Sequence, residues 1–308
     1  MIRRIIHLII GGTVLAACEG NGIGKPESVG EPFEITVIAD NNDLAETAKG
    51  FFSCNEPAMP QAECLYTTRV MESVNDVTRF MRNLVVVRKK PGKTRLRYER
   101  NPYANNQLMA VIDVESKRQL THDSARLADA VKGLIIGTEA TRAVGGDSQN
   151  HNLKFSKEVK ETTGHDMTIP AYMTTSKRGK DFIWMSDNGN KLMRNICVYA
   201  IDGTILSRQN LIDKRDSVMA ANIKGEREGM EMATERRADI LFEEKQGLVV
   251  VRGLWMMKGD AMGGPFVSVT TIDTVRGRTV TAEAFIYGPS AAKAKAMKHL
   301  EAFLLTLK

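Results

Sequence analysis

Leu248-Val-Val-Val-Arg-Gly-Leu-Trp-Met-Met-Lys258, Pro265-Phe-Val-Ser-Val-Thr-Thr-Ile272 and Arg278-Thr-Val-Thr-Ala-Glu-Ala-Phe-Ile-Tyr287 follow one another with short breaks. Each is rich in β-branched and aromatic residues and is bounded by glycine or charged residues, the pattern of neighbouring strands. With Ile240–Glu244 ahead of them they form a four-run meander. Met297, Leu300, Phe303, Leu304 and Leu307 then lie on one stripe, which predicts a closing helix starting at Ser290. Upstream, Ser207 to Ile223 reads as a helix ended by Gly225. Tyr172–Ser176, Phe182–Ser186 and Asn195–Ile201 read as strands parted by turns such as Asp187-Asn-Gly-Asn190. Strands, a helix, a meander and a helix describe an antiparallel α+β domain over residues 166–308.

The N-terminal half has another texture. Glu34-Ile-Thr-Val-Ile-Ala-Asp40, Leu84-Val-Val-Val-Arg88 and Gln107-Leu-Met-Ala-Val-Ile-Asp-Val-Glu115 are apolar runs of strand length. Between and after them come helical patterns: Leu44, Ala48, Phe51 and Phe52 behind a cap at Asp43, a short helix from Asp76, and Leu120, Leu127, Val131, Leu134 and Ile135. This alternation predicts an α/β domain over residues 34–165 with parallel pairing. The expected fold is thus an α/β N-terminal half plus an α+β C-terminal half, an antiparallel sheet with helices. The element order of the second half resembles the α/β/α sandwich of the Mog1/PsbP-like fold.

The N-terminus reads as an address. Two arginines, Arg3 and Arg4, precede an apolar run from Ile5 to Ala17, and Cys18 follows. That is the layout of a secretory signal, and the run falls short of the roughly 20 residues that span a bilayer. Leu15-Ala16-Ala17-Cys18 resembles the lipobox of bacterial lipoproteins. The resemblance implies diacylglyceryl attachment to the Cys18 thiol before residues 1–17 are cleaved, an anchor carrying fatty acyl chains such as palmitate, and a membrane partner through that anchor. Residues 18–33, rich in Gly, Pro and polar side chains, read as a flexible tether. The expected location is the cell envelope, at the outer membrane.

Composition narrows the function classes. The 308 residues are 43% apolar and 26% charged with a formal charge of +6, ordinary for a globular protein. Removing Arg3 and Arg4 from the 43 bases leaves 41 against 37 acids, or +4. So slight an excess argues against a nucleic-acid partner. Its densest part, Arg88, Lys89, Lys90, Lys93, Arg95, Arg97 and Arg100 beside Pro91-Gly92, reads as a solvated hairpin. Cys54 and Cys64 flank a proline-containing segment, and in an oxidising compartment a bridge between them is expected. Cys197, inside a strand-like run, reads as buried. His122, His151, His165 and His299 have no ligand spacing, so no metal or other cofactor is expected.

No linear motif specifies a reaction. Ser290-Ala-Ala-Lys293 has the Ser-x-x-Lys spacing of penicillin-binding enzymes without their partner motifs, and reads as an ordinary helix cap. Glu243 with Glu244 and Glu226 with Glu228 read as solvated surface. The most distinctive segment is Gly259-Asp260-Ala-Met-Gly263-Gly264-Pro265-Phe266, with Trp255 on the run before it. Its glycines free the backbone, and Asp260 beside Trp255 and Phe266 would suit a glycan or peptide; the alternative is a tight strand connection.

Lys214-Arg-Asp-Ser-Val, Met232-Ala-Thr-Glu-Arg-Arg, Arg252-Gly-Leu-Trp and Gly259-Asp-Ala-Met-Gly-Gly-Pro-Phe-Val-Ser268 resemble an uncharacterised lipoprotein family of Bacteroidota, a domain-of-unknown-function family. Phe182-Ile-Trp-Met-Ser186 and the last nine residues are similar too. The resemblance implies a lipoprotein address and brings no catalytic residues. The expectation is a non-catalytic binding or assembly component with an envelope protein or glycan as partner; the alternative is a hydrolase of envelope polymers.

Overall fold

The apolar runs of the N-terminal half pair in parallel because the chain is carried back between them, by a helix after the first run and by an edge strand between the second and third. In the computed structural model, which describes residues 24–145, 150–204, 207–245 and 247–308, β1 (Glu34–Ala39) lies between β2 (Thr67–Met71) and β3 (Asn83–Lys89). β5 (Leu108–Val114) follows in parallel with β3, and β4 (Arg95–Arg100) closes the edge antiparallel to β5. α1 (Asn42–Lys49), α2 (Lys117–His122) and α3 (Ser124–Val144) cover one face. Their Leu44, Ala48, Leu120, Leu127, Val131 and Ile135 pack against Ile35, Val37, Val85, Val87 and Ile112.

The basic run is not a hairpin. β5 separates β3 from β4, and Asp113 of β5 takes Arg88 from one neighbour (2.9 Å) and Arg97 from the other (2.7 Å). Two of the clustered cations are therefore consumed within the sheet.

The second domain is an antiparallel sheet in the order β10-β11-β12-β13-β8-β7-β6. Its strands are β6 (Thr175–Gly179), β7 (Phe182–Ser186), β8 (Met193–Asp202), β10 (Leu241–Lys245), β11 (Leu248–Met257), β12 (Gly263–Asp273) and β13 (Arg278–Tyr287). A short β9 (Met232–Thr234) pairs with the end of β11. Strand alternation divides the side chains. Val280, Ala282, Ala284 and Ile286 meet α4 (Leu153–Thr163) and α6 (Ala294–Leu304), whereas Glu283 and Phe285 face α5 (Arg208–Asn222). The result is helix, sheet, helix, with mixed α/β content in both halves as the sequence texture predicts.

Three local expectations change. α4 buries Phe155 and Val159 in the second core, so the helix just before residue 165 packs with the C-terminal half. The tether is docked from Lys25 onward: Asn105 donates to the Pro26 carbonyl (2.7 Å), Ser28 donates to Asn105 (3.0 Å), and Phe33 is buried. The closing helix starts at Ala294, and Ser290 does not cap it. Glu63, from the other domain, accepts hydrogen bonds from the backbone N–H groups of Lys293 (2.5 Å) and Ala294 (2.8 Å). A carboxylate there satisfies orphan donors and complements the helix dipole.

Three of the segments that carry the family resemblance, around Arg215, Thr234 and Phe266, meet in one place. Arg215 is buried under α5, forked onto Glu283 of β13 (2.9 and 2.7 Å) and bonded to Thr234 (2.9 Å). Its guanidinium lies 3.8 Å from the centre of the Phe266 ring. Asp216 accepts from Thr234 (2.8 and 2.6 Å) and from Arg236 (2.8 Å). The distinctive sequence here builds a buried polar network rather than a surface.

Candidate functional site

The Gly259–Phe266 segment is divided between a turn and a strand. Gly259, at φ +78°, and Asp260 lie in the turn, where Asp260 accepts from the Met262 backbone N–H (3.3 Å). Gly263, Gly264 and Phe266 belong to β12. A Cβ at Gly264 would collide with the Ile286 carbonyl, the same carbonyl that accepts from the Trp255 indole (3.2 Å). Trp255 and Phe266 are only 2% and 1% exposed, so they present no aromatic face to a glycan or peptide. The glycines admit neighbouring strands, and the expected ligand loop is corrected to a strand connection.

Cys18 lies outside the described residues. The expected Cys54–Cys64 bridge is not formed: both thiols are free, and the Cys64 Sγ–H donates to the Phe52 carbonyl (3.2 Å). The segment between them instead reaches the second domain, where Met59 joins the core and Glu63 caps α6. Cys197 is buried, as expected from its strand. Among the described residues no group of His, Cys, Asp and Glu could hold a metal ion.

One sizeable cleft among the described residues was not singled out in the sequence. A cleft of about 770 Å³ opens between α3 and α6, where the two domains meet. Gly133, Gly137 and Ala140 of α3 form one wall, with Ala302 and Phe303 of α6 opposite. No heavy atom stands within 4 Å of where a Cβ would project from Gly133 or Gly137, apart from their own helix backbone and chain neighbours. The absence of side chains on that stretch of α3 is therefore what leaves the space. The sequence signal was two glycines four residues apart inside a helical pattern, each a cost of about 1 kcal/mol that packing or binding must justify.

The charged groups of the cleft hold one another. Glu139 of α3 accepts from Arg82 (2.7–3.1 Å), Arg142 (2.6 Å) and Asn83 (2.9 Å). Burial raises its carboxyl pKa, but these donors and cations outweigh burial and bring it below the ordinary value. Burial lowers Arg142 to about 10 against the pull of Glu139. On the other wall, Glu301 takes Arg252 (2.6 Å) and Lys298 (3.2 Å). Burial again raises that carboxyl, and the two cations reverse the shift.

Aromatic groups complete the lining. The His299 ring lies 5.9 Å from Tyr172 and 5.3 Å from Phe303. Burial, with the nearby Arg194 charge, holds its imidazole below the usual 6.5. Arg194 also covers the Tyr172 ring at 5.3 Å. The Tyr172 hydroxyl is buried and has no hydrogen-bond partner, and burial pushes its pKa well above the ordinary range. It stays a protonated donor at neutral pH. The cleft therefore offers small apolar walls and a lining of four cations against two carboxylates, Glu139 and Glu301.

The family model described as Domain of unknown function (DUF4837) matches residues 152–306, half of the chain. The chain belongs to the DUF4837 family. A second model, Domain of unknown function (DUF8532), matches residues 28–144. The DUF4837 region begins at the residue before α4, and the cleft lies where the two matched regions face each other. No curated protein matches the chain. Among solved structures it has a slight likeness to the human StarD13 (DLC2) lipid transfer and protein localization domain, at 10% identity. That match covers 49% of this chain and 97% of the other with a TM-score of 0.20.

Proposed function

We propose that this DUF4837 protein is a membrane-anchored envelope lipoprotein, held by lipid on Cys18, that binds a largely apolar ligand between α3 and α6. The open space beside Gly133 and Gly137 carries the binding part. Its volume of about 770 Å³ falls in the usual range of ligand sites, roughly 300–1,000 Å³. Binding suits the chemistry better than hydrolysis, because Glu139 and Glu301 are each tied to two cations. A side chain or acyl portion of an envelope partner fits this description. The lipobox at Leu15–Cys18 supports the anchor.

Gly137→Leu tests the cleft without disturbing the core. The new side chain enters open space, and replacing a helix-interior glycine favours the helix by about 1 kcal/mol. The variant is expected to melt at or above the parent temperature while losing uptake of the apolar dye anilinonaphthalene sulfonate. Dye uptake equal to the parent's would remove the cleft from the proposal. The anchor has its own test: labelled palmitate is expected to enter the parent and not Cys18→Ser.

A further inference from the structure

The path of the chain into the fold fixes more than an anchor point. Lys25 Nζ donates to the carbonyls of Asn101 (2.5 Å) and Pro102 (3.3 Å), and Asn105 Nδ2 donates to the Lys25 carbonyl (2.8 Å). Val29 N donates to Phe80 O and Arg82 N to Val29 O, both at 2.9 Å. Residues 25–29, 77–82 and 101–107 are thus knit into one end of the first sheet, where β3 and β5 begin and β4 ends. The polypeptide enters the fold there, at Gly24.

That end displays apolar side chains that the fold does not use. Val29 is 50% exposed, Val77 67% and Tyr103 39%, each in one of the three knit segments. Only five residues, Glu19 to Ile23, separate Gly24 from Cys18. At no more than about 3.6 Å per residue, six Cα steps reach about 20 Å. A body so closely leashed has one end available to the bilayer surface, and it is the end with the exposed valines and tyrosine.

We infer that this end of the N-terminal domain is a lipid-facing surface, on which Val29, Val77 and Tyr103 enter the headgroup region and set the orientation of the protein. The inference rests on the anchor at Cys18 argued above. Tyrosine and aliphatic side chains suit the interface, where an apolar body can sink while a polar tip stays wet. The cleft adjoins this surface: Arg142, which lines it, donates through Nε to the Asn106 carbonyl (2.5 Å) in the β4–β5 turn.

Two tryptophan variants test the orientation. Val77→Trp places a reporter on the proposed surface, and Val275→Trp places one at the 92% exposed β12–β13 turn of the other domain. Each chain, starting at Glu19 behind an N-terminal histidine tag, is held on phosphatidylcholine–phosphatidylglycerol vesicles through a nickel-chelating lipid. The lipid acyl chains are brominated to quench indole emission by contact, and the signal of the parent with Trp184 and Trp255 is subtracted. Quenching at position 77 several-fold stronger than at 275 is the expected result. Equal quenching, or none at either position, would overturn the surface. Because this anchor is supplied artificially, a failure of palmitate to label Cys18 in cells would remove the lipoprotein reading alone, and the vesicle comparison would still decide the surface.

Discussion

His299 shows how one side chain can report on the cleft. Its folded pKa is held below 6.5, so on acidification the unfolded chain takes up the proton first. Its contribution to stability is complete above pH 6.5 and falls away as pH drops through the folded value. His299→Phe keeps a ring against Tyr172 and Phe303 and removes the proton. Urea midpoints measured from pH 7.5 to pH 5 are expected to fall less in the variant than in the parent, and parallel curves would refute this. None of this was legible in the sequence, where His299 is one of several scattered histidines and acquires meaning only from Tyr172, which lies 127 positions earlier. Asp260 is the converse case. Its neighbours Gly259, Gly263 and Gly264 stand out in composition, but composition does not say whether a glycine admits a ligand or another strand. At Gly264 the room is taken by the Ile286 carbonyl.

Elements with a continuous apolar run were the readable ones. β1, β3, β5, β12 and β13 are buried on both faces or nearly so, and their sequences say it directly. β2 and β4 are edges with largely exposed side chains, and a polar run gives no period to read. That is why Arg88 to Arg100 looked like a hairpin although β5 lies between its halves. α4 was hard to assign because only Phe155 and Val159 mark its buried face before the helix ends. Pairings across elements were equally hidden, above all Arg215 of α5 with Glu283 of β13. Glu283→Gln leaves Arg215 charged in a buried site and is expected to cost about 3–5 kcal/mol. Arg215→Met combined with Glu283→Leu should recover much of that loss, measured by chemical denaturation. A double variant less stable than Glu283→Gln would show that packing around the pair, not the stranded charge, sets the cost.

On the scale of the whole molecule, the two domains are joined by more than the segment between α3 and α4. α3 packs beside α6, Lys295 of α6 donates to Thr67 of β2 (3.0 Å), and Glu63 caps the helix. The sequence texture separated two folding styles correctly in kind, but it could not reveal a site that exists only where they meet. Gly133 and Gly137 mark one wall of the cleft in the sequence, but the wall at Ala302 is distant in the chain and neither helix alone encloses anything.

The Glu63 cap also imposes a chronology. Synthesis runs from the N-terminus, so the acceptor on the first domain is complete long before the ribosome reaches Lys293. The last helix is then a latch closing on a prepared catch. The Glu63–Ala294 contact also spans 231 positions, and closing so long a loop favours late formation when the full chain refolds, so its loss should appear in the unfolding rate. Glu63→Ala is expected to lower stability by about 1 kcal/mol, with stopped-flow unfolding several-fold faster and refolding little changed. Refolding slowed by the full amount would place the latch in the nucleus instead. If the latch closes last, an interrupted chain has an open flank where the cleft should be, and ligand capture is reserved for finished molecules.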